Sequence, residues 1–317
     1  MVPENNFADK SKNLLSTQLK NWQMCKDGYA TLNSIQVKTF NFDGYTIKVQ
    51  YNAGRLISSG AKVDAKSIKE RPCFLCLHNL PKEQQVLDYK ENYAILVNPF
   101  PIFNEHFTLP NKEHVPQSIK ESFKILLHYS RDLSNYYTVF YNGPKCGASA
   151  PDHQHFQAGN KDFMPIDHEY DEIISRYGKA LVDNDTIKIL SVDDGLRKFI
   201  SFEGSDEDAL DKYFQKLLTT LKKLNNSEEE PLLNILSFYH NEKWRVIIFL
   251  REKHRPTQYF AEDDSRILLS PASVDIGGVS ITPLKEDFDK ITKEDIVDIF
   301  HQVFISKDKL EKVFRVC

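Results

Sequence analysis

Gly147-Ala148-Ser149-Ala150-Pro151-Asp152-His153-Gln154-His155-Phe156-Gln157-Ala158-Gly159 is the stretch on which the reading of this chain turns. Side chains of a β-strand alternate between its two faces, so an extended segment here puts His153, His155 and Gln157 on one face. The flanks support extension. Residues 136–141 are β-branched and aromatic, and residues 142–151 form a loop containing Gly, Pro and Ser that turns the chain back. Two imidazoles and an amide beside a glycine-containing loop make a polar array that an ordinary core does not collect. A solvated strand face with chance histidines would account for a bare His-x-His; the added Gln and the loop favour a functional site.

Working outward, the chain has 317 residues, enough for two domains or one large one with a substantial core. It is 41% hydrophobic and 27% charged, with a net charge of -4, which argues against bulk nucleic-acid binding. Met1 leads into Glu4, Asn5, Asn6 and a Lys-rich stretch without the apolar run of a signal peptide. No stretch approaches the roughly 20 apolar residues of a membrane span. Five cysteines, two of them close together, do not resemble an extracellular disulfide framework, so a cytoplasmic setting is expected.

The hydrophobic pattern divides into two halves of similar kind. In the first, residues 37–51 alternate around Asp43-Gly44, a hairpin signal. Strands follow at 93–97 and 103–109, and Ile119, Phe123, Leu126, Leu127 and Leu133 predict a helix over 116–134. In the second, 186–191 and 199–202 read as extended. Residues 206–224 read as a helix burying Leu210, Tyr213, Phe214, Leu217 and Leu221, and 233–239 with 244–250 as a hairpin. The polar stretch 161–184 suits a boundary, giving 1–165 and 185–317 joined by 166–184. Antiparallel strands with helices laid on them predict an α+β fold.

Cys73-Phe74-Leu75-Cys76 has the spacing with which a tight turn grips one metal ion. Two thiolates are half of a tetrahedral site, and His114 and His153 are the best-placed candidates for the rest. Buried cysteines acting as small hydrophobes are one alternative and a redox pair another, although no thioredoxin-like unit surrounds them. With all four positions filled by protein, a zinc ion held there would be structural.

Two longer motifs carry a resemblance. The run Asn98-Pro99-Phe100-Pro101-Ile102-Phe103-Asn104-Glu105-His106-Phe107-Thr108-Leu109-Pro110-Asn111-Lys112-Glu113-His114 resembles the substrate-pocket stretch of the histidine-triad superfamily. Residues 147–157 resemble the active-site strand of its transferase branch, which ends in Gln rather than a third His. That branch holds galactose-1-phosphate uridylyltransferase, diadenosine tetraphosphate phosphorylase and the GDP-hexose phosphorylases. Residues 269–278 and 283–288 are similar to the distal region of the last group.

The resemblance implies two histidine-triad-like halves in one chain, with the first carrying the active-site strand and the second contributing to the pocket. His155 would be the nucleophile and Gln157 a phosphate contact. His153, His114, Cys73 and Cys76 would be zinc ligands, and Asn98 and Phe100 would line the nucleoside pocket. Asp152 is one residue more than the uridylyltransferase pattern has between Pro and His.

The chemistry fits these residue types. A neutral imidazole, with a pKa near ~6.5, is nucleophilic at pH 7. It can attack the α-phosphorus of a nucleoside diphosphate compound and hold the nucleotide as a phosphoramidate, splitting one displacement into two. The leaving phosphate monoester, with a second pKa of about 6, departs as an anion without a general acid. Gln157 cannot supply a proton but can donate N–H to phosphoryl oxygens, which favours transfer over hydrolysis. Gly147 lets the backbone approach a phosphate, Asn142 and Ser149 add side-chain donors, and Lys145 could neutralise charge developing on the equatorial oxygens. Arg251, Lys253, His254 and Arg255 form a basic run that could receive an acceptor phosphate.

The expected activity is nucleotidyl transfer from a nucleoside diphosphate sugar to phosphate or sugar phosphate, by a monomer or homodimer. Alternatives are a dinucleoside polyphosphate phosphorylase or hydrolase and a non-catalytic, zinc-stabilised nucleotide-binding module.

Overall fold

A computed structural model describes residues 6–56 and 64–316, so the first residues of the chain lie outside it. Strands β1 (Gln36–Asn41) and β2 (Thr46–Tyr51) form the expected hairpin, with Gly44 at φ +80° in the turn. Strands β3 (Leu87–Tyr89), β4 (Tyr93–Val97) and β5 (His106–Pro110) lead into the helix Phe123–Asp132, followed by β6 (Tyr137–Asn142) and β7 (His155–Asn160). After the helix Pro165–Tyr177 the same order recurs. Strands β8 (Gly178–Asp183), β9 (Ile187–Asp193) and β10 (Lys198–Gly204) precede the helix Glu207–Asn225, and β11 (Leu233–His240) and β12 (Lys243–Leu250) follow it. Strand β13 (Val279–Thr282) joins β2 in parallel, extending the small sheet to three strands.

The large sheet is ordered β3-β4-β5-β7-β6-β11-β12-β10-β9-β8. Each half therefore contributes the same five-strand arrangement, and the halves meet at the antiparallel pair β6–β11, where Asn142 lies opposite Asn234. Period-two alternation builds a core on both faces. Phe107, Leu109, Tyr137, Val139, Phe156 and Ala158 turn toward the helices Phe123–Asp132 and Glu207–Asn225. There the Phe123 and Phe214 rings stack 3.9 Å apart, each such burial contributing roughly 1.5–3 kcal/mol. The opposite face carries Phe140, Leu236, Ile247 and Phe249. It is covered by β2, the helix Pro165–Tyr177 and residues 267–304. The candidate site lies on this second face.

Three expectations need correction. The helix expected over 116–134 spans only Phe123–Asp132, because the backbone of the preceding residues is bonded elsewhere: Gln117 N–H donates to Pro151 O, Ser118 N–H to Gln154 Oε1, and Ile119 N–H to Glu230 Oε2. His153 does not share the strand face, since β7 begins at His155 and the His153 N–H closes a turn onto Ala150 O. Residues 166–184, expected as a connector, form most of a helix and the edge strand β8. Among the described residues no helix is long and apolar enough to cross a membrane.

Candidate active site

The register places the candidate residues. In β7, His155 lies opposite Pro110 of β5, and Gln157 lies between Thr108 of β5 and Phe140 of β6. A cavity of about 520 Å³ opens over this face, lined in part by Thr108, Phe140, Asn142, His155 and Gln157. Asn98, Phe100, Gly147 and Ser149 line it as well. Gly147 has φ +97°, and a Cβ there would come within 2.6 Å of the Ala272 Cβ, so the loop can lie against the second half only with glycine.

His155 is 3% exposed. Its Nδ1 is 2.7 Å from the His153 carbonyl, which can only accept, so Nδ1 carries the proton and Nε2 keeps its lone pair. Burial pushes its pKa down to about 4, and the imidazole is neutral at pH 7. The strand around it is held by Gln117, a residue that the sequence motif did not bring forward. The Gln117 Oε1 accepts the His155 N–H at 2.7 Å, while its Nε2 donates to the carbonyls of Asn142 and His155 at 3.0 Å each. The amide fills the gap where β6 and β7 part beyond Phe140 and Gln157.

Two amides lining the cavity have their oxygens occupied. His106 Nδ1 accepts from the Ile102 N–H at 3.2 Å, so its Nε2 bears the proton and donates to Gln157 Oε1 at 3.0 Å. Burial, helped by the Arg55 charge, pushes the His106 pKa down to about 3, which keeps this tautomer neutral. Asn142 Oδ1 accepts from Ser273 N–H and from Asn234 Nδ2, each at 2.9 Å. With their oxygens held, both side chains keep N–H₂ groups with which to donate. His106 is a second residue that the motif reading passed over; its alternation with Thr108 and Pro110 on β5 was the available signal.

Lys145 stands apart from the cavity, pairing with Glu229 at 2.6 Å on an exposed loop. The basic run divides too. Arg251 is buried and Lys253 exposed, while His254 and Arg255 line the cavity.

The metal-site residues converge. Ligand atoms of Cys73, Cys76, His114 and His153 lie within 4.8 Å of one another. Cys73 Sγ is 3.3 Å from His153 Nδ1, and Cys76 Sγ is 3.2 Å from His114 Nδ1 and 3.7 Å from His153 Nδ1. A tetrahedral zinc with ordinary bond lengths separates sulfur from nitrogen by roughly 3.5 Å. The His153 Nε2 donates to the Asn111 carbonyl at 2.8 Å, directing Nδ1 at the thiols. Asp152 accepts from Arg71 at 2.8 Å and lies 3.8 Å from His114, so the additional residue leaves His153 within reach of the cluster. The Cys₂His₂ set could hold a metal ion, and Leu75 and Phe74, between the cysteines, belong to the cavity wall.

Similar proteins were found for both halves. Residues 14–160 match a domain of unknown function designated DUF4922, and residues 169–317 match the C-terminal domain described as GDPGP1-like. Galactose-1-phosphate uridylyltransferases from two Lactococcus lactis subsp. cremoris strains are 31% identical over 130 residues. That match takes in 38% of this chain and spans 26% of the relatives' length, about a quarter. The crystal structure of yeast Ap4A phosphorylase Apa2 in complex with AMP superposes with a TM-score of 0.56. It covers 91% of this chain and 96% of that one at 18% identity, which shows the shared fold. The two-halved sheet, the His-x-His-x-Gln segment and these matches point the same way: the chain is similar in part to galactose-1-phosphate uridylyltransferase, shares its fold with a diadenosine tetraphosphate phosphorylase, and matches a GDPGP1-like C-terminal domain over its second half.

Proposed function

We propose that this chain is a nucleotidyltransferase acting on a nucleoside diphosphate sugar through a covalent nucleotidyl-His155. The observation that carries the reading is the fixed tautomer of His155: Nδ1–H is committed to the His153 carbonyl, so Nε2 is the nucleophilic atom. Nε2 attacks the α-phosphorus, the bond to the bridging oxygen breaks, and a sugar 1-phosphate departs. An oxygen of inorganic phosphate or of a sugar phosphate then attacks the same phosphorus, the P–N bond breaks, and its electron pair returns to Nε2. The N–H₂ groups of Gln157 and Asn142 meet the non-bridging oxygens in both steps.

In this reading residues 1–165 supply the chemistry and 185–317 the far wall of the pocket. The aromatic side chains on the cavity, Trp22, Phe74, Phe100 and Phe140, all come from the first half and suit one nucleobase. The second-half wall offers His254, Arg255, Ser270 and Asp275 instead, a polar set that suits a phosphorylated sugar better than a second nucleoside. The Cys₂His₂ cluster would hold a structural zinc, which a reducing cytoplasm would leave with free thiols.

The test is incubation with a panel of nucleoside diphosphate sugars and dinucleoside polyphosphates, with and without phosphate, followed by intact-mass measurement. One nucleotidyl adduct on wild type and none on His155→Ala is expected. Full labelling of His155→Ala would sink the assignment, and full turnover without any phosphate acceptor would favour a hydrolase.

A further inference from the structure

Ala150, Pro151, Asp152 and His153 form a turn in which the His153 N–H bonds to the Ala150 carbonyl at 3.1 Å. Proline stands at its second position, where a fixed φ suits the turn, and Asp152 at its third. Ala150 packs against Cys73, Leu75 and Cys76, so the turn lies on the loop that carries the two thiols. Asp152, the additional residue of the motif, is 15% exposed and uses its two oxygens on different partners. Oδ1 accepts from Arg71 Nη2 at 2.8 Å, and Oδ2 lies 3.8 Å from His114 Nε2.

Both contacts lead to a site. His114 presents Nδ1 to the cluster, 3.2 Å from Cys76 Sγ. Ligation through Nδ1 leaves the ring proton on Nε2, the atom that faces the carboxylate. A carboxylate behind a ligating imidazole orients the ring and raises its basicity. On the other side, the Arg71 guanidinium carbon lies 4.9 Å from the Phe74 ring centroid. Phe74 stands between the two cysteines, lines the cavity and is 48% exposed, so the group on its face matters for where the ring rests. Among the described residues, Asp152 is the acceptor for that guanidinium, whose Nη1 is buried without a partner.

We propose that Asp152 and Arg71 are positioning residues that couple the metal site to the cavity wall, resting on the zinc and nucleotide readings above. One carboxylate orients His114 and, through Arg71, holds Phe74 where a nucleobase meets it. Metal binding steadies the turn that seats Asp152 and thereby the aromatic wall. By linkage, a nucleotide on that wall favours the loaded metal site.

The test measures two affinities on the full chain: zinc by competition with a chromogenic chelator, and AMP, GMP, UMP and CMP by calorimetry. Asp152→Asn, which keeps the size and loses the charge, should weaken zinc about tenfold or more. It should also weaken whichever nucleotide binds the wild type, by about threefold to fivefold. Arg71→Gln should weaken that nucleotide to the same extent with zinc affinity unchanged, a split that general destabilisation does not produce. Arg71→Lys should recover part of the loss, and the two Arg71 variants carry the test if Asp152→Asn folds poorly. Wild-type affinity for either ligand in folded Asp152→Asn, or for the nucleotide in Arg71→Gln, overturns the coupling. A wild type without zinc removes the zinc reading, one that binds none of the four nucleotides removes the nucleotide reading, and the coupling falls with either.

Discussion

Replacing His106 with phenylalanine tests the buried histidine that clamps Gln157. The ring sits among Phe103 and Phe140, with centroids 5.1 and 6.1 Å away, so an apolar ring fits the space. The variant leaves the Ile102 N–H without its acceptor, an expected loss of about 1–3 kcal/mol at pH 7. Acid reverses the order. The wild-type His106 pKa is lowered from 6.5 to about 3 by burial and the Arg55 charge, because a second proton on Nδ1 would face the Ile102 N–H.

Below pH 6.5 the unfolded chain therefore binds a proton that the folded chain refuses, and stability falls as pH falls until the folded pKa is reached. The slope is about 1.4 kcal/mol per pH unit, roughly 3.4 kcal/mol by pH 4. The phenylalanine variant carries no such penalty. With an orphan cost near 2 kcal/mol the two stability curves should cross at about pH 5. Urea unfolding midpoints from pH 4 to 8 measure this directly. Parallel curves, or a wild type that remains more stable at pH 4, would refute the buried neutral tautomer and with it the clamp on Gln157.

Three further outcomes are expected. Nucleotidylation by His155 should be insensitive to its own titration from about pH 5.5 to 8 and fall as pH drops through about 4, since burial lowers its pKa and only the unprotonated Nε2 attacks; quenched-flow mass spectrometry that finds a midpoint near 6.5 would contradict this. Undamaged protein should carry close to one zinc per chain by elemental analysis, and Cys76→Ser should lower both that content and the thermal midpoint; well under one metal per chain removes the zinc assignment. Asn234→Leu strips partners from Asn142 Oδ1 and Arg251 Nη1 at once, so chemical denaturation should show a loss of roughly 2–4 kcal/mol, and a loss below 0.5 kcal/mol would show that the network is dispensable.

The sequence was most legible where local signals agree. The Asp43-Gly44 hairpin, the strand Tyr93–Val97 and the hairpin around Asn241-Glu242 stand where the pattern puts them, because turn chemistry and period-two alternation act over a few residues. The parallel pairing of β13 with β2 joins residues some 230 positions apart, with Val279 beside Lys48, and no local signal encodes it.

The candidate site shows the same division. His155, Gln157 and the four metal-site residues were visible as motifs. Gln117 and His106 act through a gap between strands and a tautomer, both products of tertiary packing. Lys145 was assigned on charge alone, and its Glu229 partner lies in a separate loop.

The ends of the large sheet bear on solubility. At one edge β3 is only three residues long, and Asp88 on it projects to solvent toward Lys112 at 2.7 Å. At the other, β8 carries a register break between Ala180 and Val182 and exposes Lys179. Short, bulged and charged margins deny an incoming chain a regular ladder of hydrogen bonds. Ten strands can thus lie in one sheet without seeding a fibre, and a change that flattened β8 and removed its charges would be expected to cost the protein its resistance to aggregation before its activity.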